Sequence, residues 1–549
     1  LFLLAAALAL GASFSGFAQT LPPPPPIPPP ARPAAPLPDK IEIIPGPFQP
    51  TVESLKTYDC PEWFRDAKFG LWSHWGPQSV PMNDGWYARQ MYVETNKAYK
   101  YHQEHYGHQS VFGFKDIIQL WKAERFDPAA LMALYAEAGA KYFVTMGAHH
   151  DNFDLWNSRY HAWNSLNYGP KKDIVGLWRT EARKHGLRFG VSEHIARSFS
   201  WFKTSHGADT KGPMAGVPYD GNDPRYEDLY FEAHPDKRAT YPLNTPEPVQ
   251  RDWFYRVKDL LESYDVDLLY TDGAIPFGDL GRAFLADFYN SNLKRNGGRL
   301  EAVYNIKDIR DHGEYIDGAA VLDVERGRLK NIHPEPWQTC DSTGPWFYNK
   351  GIDYPRQGAN AIRLLIDVVS KNGSLLLNVP QLPDGSFEPA AEQMLRDIGS
   401  WMRTNGEGIY ATRPWKIFGE GGKLNVDDGK LDPINGATEK ARPDYTPEDI
   451  RFTRSKDGRM LYAFCLGQPA DVLRIQSLGS AAKHADAPVA SVHLLGRASP
   501  LEWRQSPEAL IIQLPADLPL SPATGVKILF DGVQPASTGF LASPPARSK

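Results

Sequence analysis

At 549 residues the chain exceeds one ordinary domain, and two or three domains are expected. Its 60 Lys and Arg nearly balance 65 Asp and Glu, and the net charge of −5 gives no electrostatic case for nucleic acid or an anionic membrane surface. Three cysteines, Cys60, Cys340 and Cys465, lie far apart without metal-like spacing. That excludes a disulfide-built fold and leaves room for at most one bridge.

Residues 1–18 read as a secretory signal: Leu1 to Leu10 is almost wholly Leu, Ala and Phe, and Gly16-Phe17-Ala18 resembles a cleavage site. Without an initiator Met or a basic stretch, the sequence as printed is expected to start late within that signal. The run is short for a bilayer span and no later segment is apolar enough, so export to the periplasm or extracellular space is expected, with no membrane span after cleavage. Residues 19–50 are proline-rich, which predicts an extended polyproline spacer.

From 51 to 407, short apolar runs alternate with helical patterns. Seven strands are predicted: Phe69 to His74, Tyr142 to Gly147, Arg188 to His194, Val266 to Asp272, Ala302 to Asn305, Val321 to Glu325 and Ser374 to Val379. Between them, Asp127-Pro128 opens a helix as an N-cap acid with proline at the first helical position, and Gly139 sits where it would stop. A second helix, Arg251 to Tyr264, leads into the Asp272 strand. This alternation predicts an α/β fold, a (β/α)8-like TIM barrel whose eighth strand is missing from the count or irregular. After Gly408 the pattern becomes short strands between Gly, Pro and Asp turns, predicting a C-terminal antiparallel β-sandwich over 408–535. Residues 536–549 read as a flexible tail.

The chemistry collects where the strands end. Asp267 to Tyr270 is a buried-strand pattern that stops in Thr271-Asp272-Gly273, delivering a carboxylate to the mouth of a barrel. Val321 to Glu325 ends in another acid, and two strand-end carboxylates are the minimum requirement for glycoside hydrolysis. His149-His150-Asp151, His74-Trp75-Gly76 and Trp86-Tyr87 would gather at the same face, where imidazoles bond hydroxyls and aromatic rings pack on the apolar side of a sugar. The histidine pair matches no HExxH-type motif, and neither a metal nor an organic cofactor is expected. Asn372-Gly373-Ser374 matches a glycosylation sequon but falls at a predicted strand and is read as structural. Trp337, Trp346 and Tyr348 either line a leaving-group subsite or pack a loop.

Several long segments occur in an order that resembles the glycoside hydrolase family 29 α-L-fucosidases: Trp63 to Gly76, Ala138 to Trp156, Lys184 to Gly190, Asp267 to Gly273, Ser370 to Val379 and Asn405 to Tyr410. The resemblance runs from about Thr57 to Gly532 and implies hydrolysis of terminal α-L-fucose from oligosaccharides or glycoconjugates by a retaining mechanism. It implies Asp272 as nucleophile, with the acid/base about 5–5.5 Å away. Glu325 is chosen for that acid/base because it ends a strand on the correct face; Glu335, in His333-Pro334-Glu335-Pro336-Trp337, is the rival. Sugar-binding positions carry over onto His74, Trp86, His149, His150 and Tyr270. The chain departs from the pattern at Gly85 where relatives have Glu, at Ser192-Glu193-His194 where many have Tyr-Tyr-Ser, at Asn152 where Gly is usual, and at Lys307 near the position of an Arg. His194 either replaces the missing hydroxyl contact or is a buried structural histidine. The alternatives are a hydrolase for a fucose-like sugar, such as an α-L-galactoside, and a non-catalytic carbohydrate-binding protein, against which the two carboxylates argue.

Overall fold

In the computed structural model, which describes residues 24–83, 85–235, 244–309, 313–424 and 444–534, eight parallel strands close into a barrel. They are β1 Phe69–Ser73, β2 Tyr142–Ala148, β3 Arg188–Glu193, β4 Leu268–Thr271, β5 Val303–Ile306, β6 Val321–Glu325, β7 Trp337–Ser342 and β8 Gly373–Asn378. The order around the ring is sequential, and β1 closes it against β8 with Phe69 opposite Leu375 and Leu71 opposite Leu377. Phe143, Val144, Leu268 and Leu269 are fully buried because helices cover the outer face and side chains fill the inside. The expected helix at Pro128–Glu137 is present, with the Asp127 carboxylate accepting from Ala129 and Ala130 N–H at 3.1 Å and Gly139 at φ +97°.

The strand missing from the sequence reading is β7. Its Trp-Gln-Thr-Cys-Asp-Ser sequence is too polar to read as a barrel strand, yet all six residues are buried. The reason is that the barrel interior is itself polar here. Gln338 accepts from Tyr142 Oη at 3.0 Å and donates to Asp323 at 2.9 Å; on the opposite face of the strand the single Thr339 hydroxyl hydrogen has the carbonyls of Val324 and Gly327 as acceptors at 2.7 and 2.8 Å. The helix predicted from Arg251 begins earlier, at Glu247. Pro248 reads as a breaker but occupies the first turn, where its missing N–H has no partner to lose.

The proline-rich segment is not a spacer over its described part. From Pro24 it lies along the barrel: Arg32 N donates to Asn167 at 3.0 Å, Ile44 N to Asp287 at 2.7 Å and Phe48 N to Asn290 at 3.1 Å. Ile27, Leu37, Ile41 and Ile43 pack on the core. Residues 1–23, including the signal reading, and the 536–549 tail lie outside the described residues. No described helix is long and apolar enough to cross a membrane.

The C-terminal unit consists of a five-stranded and a three-stranded antiparallel sheet packed over Phe452, Ile475, Ile512 and Ile528. Among its described strands are two short edges, Gly419–Glu420 and Trp503–Gln505, too brief to carry a periodic signal. Cys60, Cys340 and Cys465 are free and buried. Asn372 is also buried, at φ +74°, and its amide donates to the carbonyls of His333 and Pro334. The sequon is therefore a turn device at the foot of β8.

One buried ion cluster ties the two units together. Asp367, on the helix Tyr354–Ser370, accepts from Arg451 Nε of the β-unit at 2.5 Å and Lys371 Nζ at 2.8 Å, with Arg328 Nη1 at 3.8 Å. Burial alone would raise the Asp367 pKa, but Lys371, Arg451 and Arg328 together bring it down to about 2. A depressed folded-state pKa means that this stabilisation is complete above the ordinary aspartate value of about 3.9 and is lost as pH falls toward 2. Asp367→Asn leaves three cations facing a neutral amide. It should destabilise the fold by about 3–5 kcal/mol and blunt the acid-dependent loss of stability between about pH 4 and 2, as read by urea titrations across that range.

Candidate active site

The barrel register sets the site. Tyr270 of β4 stands opposite Asn305 of β5, so continuing that register brings Asp272 level with Lys307, each just beyond its strand end. On the next strand, β6, Glu325 is the last residue. Lys307 Nζ bonds Asp272 Oδ1 and, at 2.5 Å, Glu325 Oε2. The second Asp272 oxygen accepts from Arg197 Nη1 at 2.6 Å. The other Glu325 oxygen accepts from Trp346 Nε1 at 3.1 Å. Both carboxylates named from the sequence thus share one ammonium group. Glu335 does not: it precedes β7 at the foot of the barrel, and a six-residue strand, roughly 20 Å long, separates it from the mouth.

Burial alone would push the Asp272 pKa up, but the Lys307 and Arg197 charges hold it well below the usual carboxylate range. Burial would likewise lower the Lys307 pKa, but Asp272 and Glu325 keep it well above that of a free lysine. Beneath them Asp323, pushed up to about 6 mainly by burial, accepts from Cys340 Sγ at 3.1 Å and Gln338.

Four histidines stand beside this pair. His74 follows β1, with its backbone N–H on Asn378 Oδ1 at 3.0 Å; His149 and His150 follow β2; His194 follows β3. Ring centroids of His149 lie 5.2 Å from His74, 4.4 Å from His150 and 5.0 Å from His194. His150 Nε2 is 3.2 Å from Asp272 Oδ2 but not aligned as a hydrogen bond. Among the described residues, neither ring nitrogen of His194 has a hydrogen-bond partner, nor does Nδ1 of His74. Burial lowers the pKa of all four, to about 3 for His74 and about 4 for His150, so the rings are neutral near pH 7.

The aromatic rings complete the wall. Trp86 packs on His150 at 5.9 Å, with the Arg197 guanidinium 5.6 Å from its centroid. Trp346 and Phe347 lie 5.4 and 4.7 Å from His74. Tyr270 contributes its ring only, 4.9 Å from Trp72, because its hydroxyl is turned to Cys340 Sγ at 3.4 Å. Trp337 is buried at the foot of the barrel, donating to Lys371 O, and Tyr348 bonds Glu388. Glu193 is buried against Trp253 Nε1 and Ile195 N, on the side of β3 away from the histidines. Arg197 escaped the sequence reading because a 3-10 turn after β3, without periodicity, delivers it. Two groups have ligand atoms within 4.8 Å of each other, His74/His149/His194 and His150/His194/Asp272. In the second, Lys307 and Arg197 already face Asp272 and oppose another positive centre.

A TIM barrel with two carboxylates, a cationic bridge and a histidine-lined pocket at the C-terminal ends of its strands defines a glycoside hydrolase. The chain belongs to the Alpha-L-fucosidase family: the family model matches residues 38–407, and that of the Alpha-L-fucosidase C-terminal domain matches 443–528. This bears out the resemblance to glycoside hydrolase family 29 carried by the motifs. Tissue alpha-L-fucosidase of Rattus norvegicus is 27% identical over 487 residues, covering 86% of this chain and 90% of its own. Plasma alpha-L-fucosidase of Homo sapiens is 26% identical over 482 residues, with 85% and 88% covered. The Thermotoga maritima alpha-fucosidase solved in complex with fucose superposes at a TM-score of 0.66 and 25% identity, over 88% of this chain and 100% of that one.

Lys307→Met removes one of the two cations that keep Asp272 ionised. The acid limb of the pH–rate profile should move up by about one pH unit or more, with Arg197 preventing a larger change. Initial rates on an aryl glycoside between pH 3 and 8 provide the check.

Proposed function

We propose that this chain is an exported, retaining exo-glycosidase that removes terminal α-L-fucose from oligosaccharides or glycoconjugates. The observation that carries the retaining reading is the Lys307 bridge. One nitrogen bonded to both Asp272 and Glu325 keeps their facing oxygens no more than two hydrogen-bond lengths, about 5 Å, apart. That spacing suits direct attack by one carboxylate and leaves no room for the water that inverting enzymes place between substrate and base.

In this reading Asp272 forms a bond to the anomeric carbon as the bond to the leaving oxygen breaks, and Glu325 donates its proton to that oxygen. Water then gives a proton to Glu325 and attacks the same carbon, releasing Asp272. Lys307 and Arg197 keep the nucleophile anionic, and Glu325 is assigned the role of proton donor. The neutral histidines, with open nitrogens on His74 and His194, suit sugar hydroxyls; a histidine kept only for the core would be expected to have its ring nitrogens bonded. The rings of Trp346 and Phe347 beside His74 suit the methyl group of a deoxy sugar. Export rests on the signal-like residues 1–18.

The test pairs two variants on an aryl α-L-fucoside. Asp272→Gly should lose about a thousand-fold or more in kcat and yield β-fucosyl azide when azide is added; Glu325→Ala should yield the α-anomer, because azide then intercepts the glycosyl-enzyme. The same anomer from both variants would sink the assignment of roles. Wild-type turnover of an α-L-galactoside but not the fucoside would replace the sugar and leave the mechanism standing.

A further inference from the structure

Gln78 lies outside the catalytic pair, in the turn after β1, and is buried. Its amide is oriented without ambiguity. Ala88 N–H, in the first turn of the short helix Tyr87–Gln90 that follows Trp86, can only donate, and it faces Gln78 Oε1 at 3.3 Å. The opposite end is therefore the NH2 group, which lies 2.7 Å from His149 Nδ1. An amide NH2 can only donate, so His149 Nδ1 holds the lone pair, and the ring proton of neutral His149 resides on Nε2.

His150, its neighbour, is set the other way. Its Nδ1 lies 2.9 Å from the carbonyl oxygen of His194, which can only accept, so neutral His150 carries its proton on Nδ1 and keeps Nε2, 3.2 Å from Asp272 Oδ2, as an acceptor. Two adjacent imidazoles, with ring centroids 4.4 Å apart, thus present opposite polarity.

We propose that Gln78 is a positioning residue for glycon recognition. It locks His149 in the tautomer that donates from Nε2, so that the pocket offers a donor on His149 and an acceptor on His150 to different hydroxyls of the sugar. The donor requires a hydroxyl oxygen free to accept; the acceptor requires a hydroxyl free to donate. A glycon lacking either hydroxyl leaves a buried ring nitrogen unpaired, the situation in which hydrogen-bonded recognition discriminates most strongly. The same amide holds the helix that follows Trp86, so the aromatic wall and the histidine tautomer depend on one side chain. As a statement about sugar recognition the proposal rests on the glycosidase reading above, whereas the tautomer itself does not.

The first test is spectroscopic and needs no substrate. In protein labelled with 15N-histidine at pH 7, with His149 assigned by its loss in His149→Asn, its Nδ1 should resonate as an unprotonated nitrogen and its Nε2 as a protonated one. The reverse tautomer, or an imidazolium, would overturn the proposal even if fucosidase activity were present. The second test compares Gln78→Glu with Gln78→Leu. The glutamate keeps an acceptor for Ala88 N–H but can only accept from His149, which should move the proton to Nδ1 and raise KM for the aryl α-L-fucoside by about ten- to hundred-fold, with kcat much less changed. Gln78→Leu should give mixed tautomers and a smaller rise. An unaltered His149 spectrum and KM in Gln78→Glu would also overturn it. A wild type with the expected spectrum but no fucoside turnover would instead refute the choice of sugar.

Discussion

A single buried ammonium organises the mouth of this barrel. Two carboxylates brought so close in a low-dielectric site repel each other, and a cation between them offsets that repulsion. Lys307 supplies that cation from the end of β5, between the strands that deliver Asp272 and Glu325. Because it is short of hydrogen-bonding alternatives in the interior, it also fixes where each carboxylate points. Arg197 and Trp346 then take the outer oxygens, and the order of the pocket follows from those four contacts. Lysine and arginine are not equivalent here: a compact point charge can sit between two acids, whereas a planar fork would bind one of them bidentately.

Much of this was legible in the sequence for a physical reason. Parallel strands buried on both faces must be apolar, so the runs ending at His74, Gly147, Asp272 and Glu325 announce themselves, and the polar residues at or after each end mark the rim of the candidate site. β7 escaped because Gln338 and Cys340 find polar partners on other strands, Tyr142 and Asp323, so burial there left no hydrophobic signature. Glu335 was a fair candidate only while that strand was unseen; once Trp337–Ser342 is a strand, the acid before it belongs to the opposite end. Arg197 and the orientation of Gln78 arise from irregular loops, whose geometry no periodicity encodes. The tyrosine carried over to the sugar site, Tyr270, is a strand residue whose hydroxyl found a closer partner in Cys340.

The β-unit is joined to the barrel by charge as well as by packing. Arg451 reaches Asp367 on the outer helix before β8, and the same carboxylate holds Lys371 at the turn where Asn372 adopts its left-handed conformation. The strand that closes the barrel ring is thus anchored at its foot by an interaction that includes the second unit. Loss of the β-unit would leave Asp367 with a different set of partners and loosen the turn into β8 rather than merely expose a surface.

The strap formed by the described part of the proline-rich segment has a consequence for how the molecule is made. Its bonds from Ile44 to Asp287 and from Phe48 to Asn290 join residues 243 and 242 positions apart. A chain that emerges N-terminus first carries these groups unpaired until the helix Asp279–Arg295 has followed, well after the first three barrel strands are available. Contacts of such high sequence separation form late, since the loop entropy must be met before they reward it. Stiff prolines reduce that cost by narrowing what the waiting segment can explore. The strap is in this sense a latch: its last bonds close only over a barrel whose middle already exists.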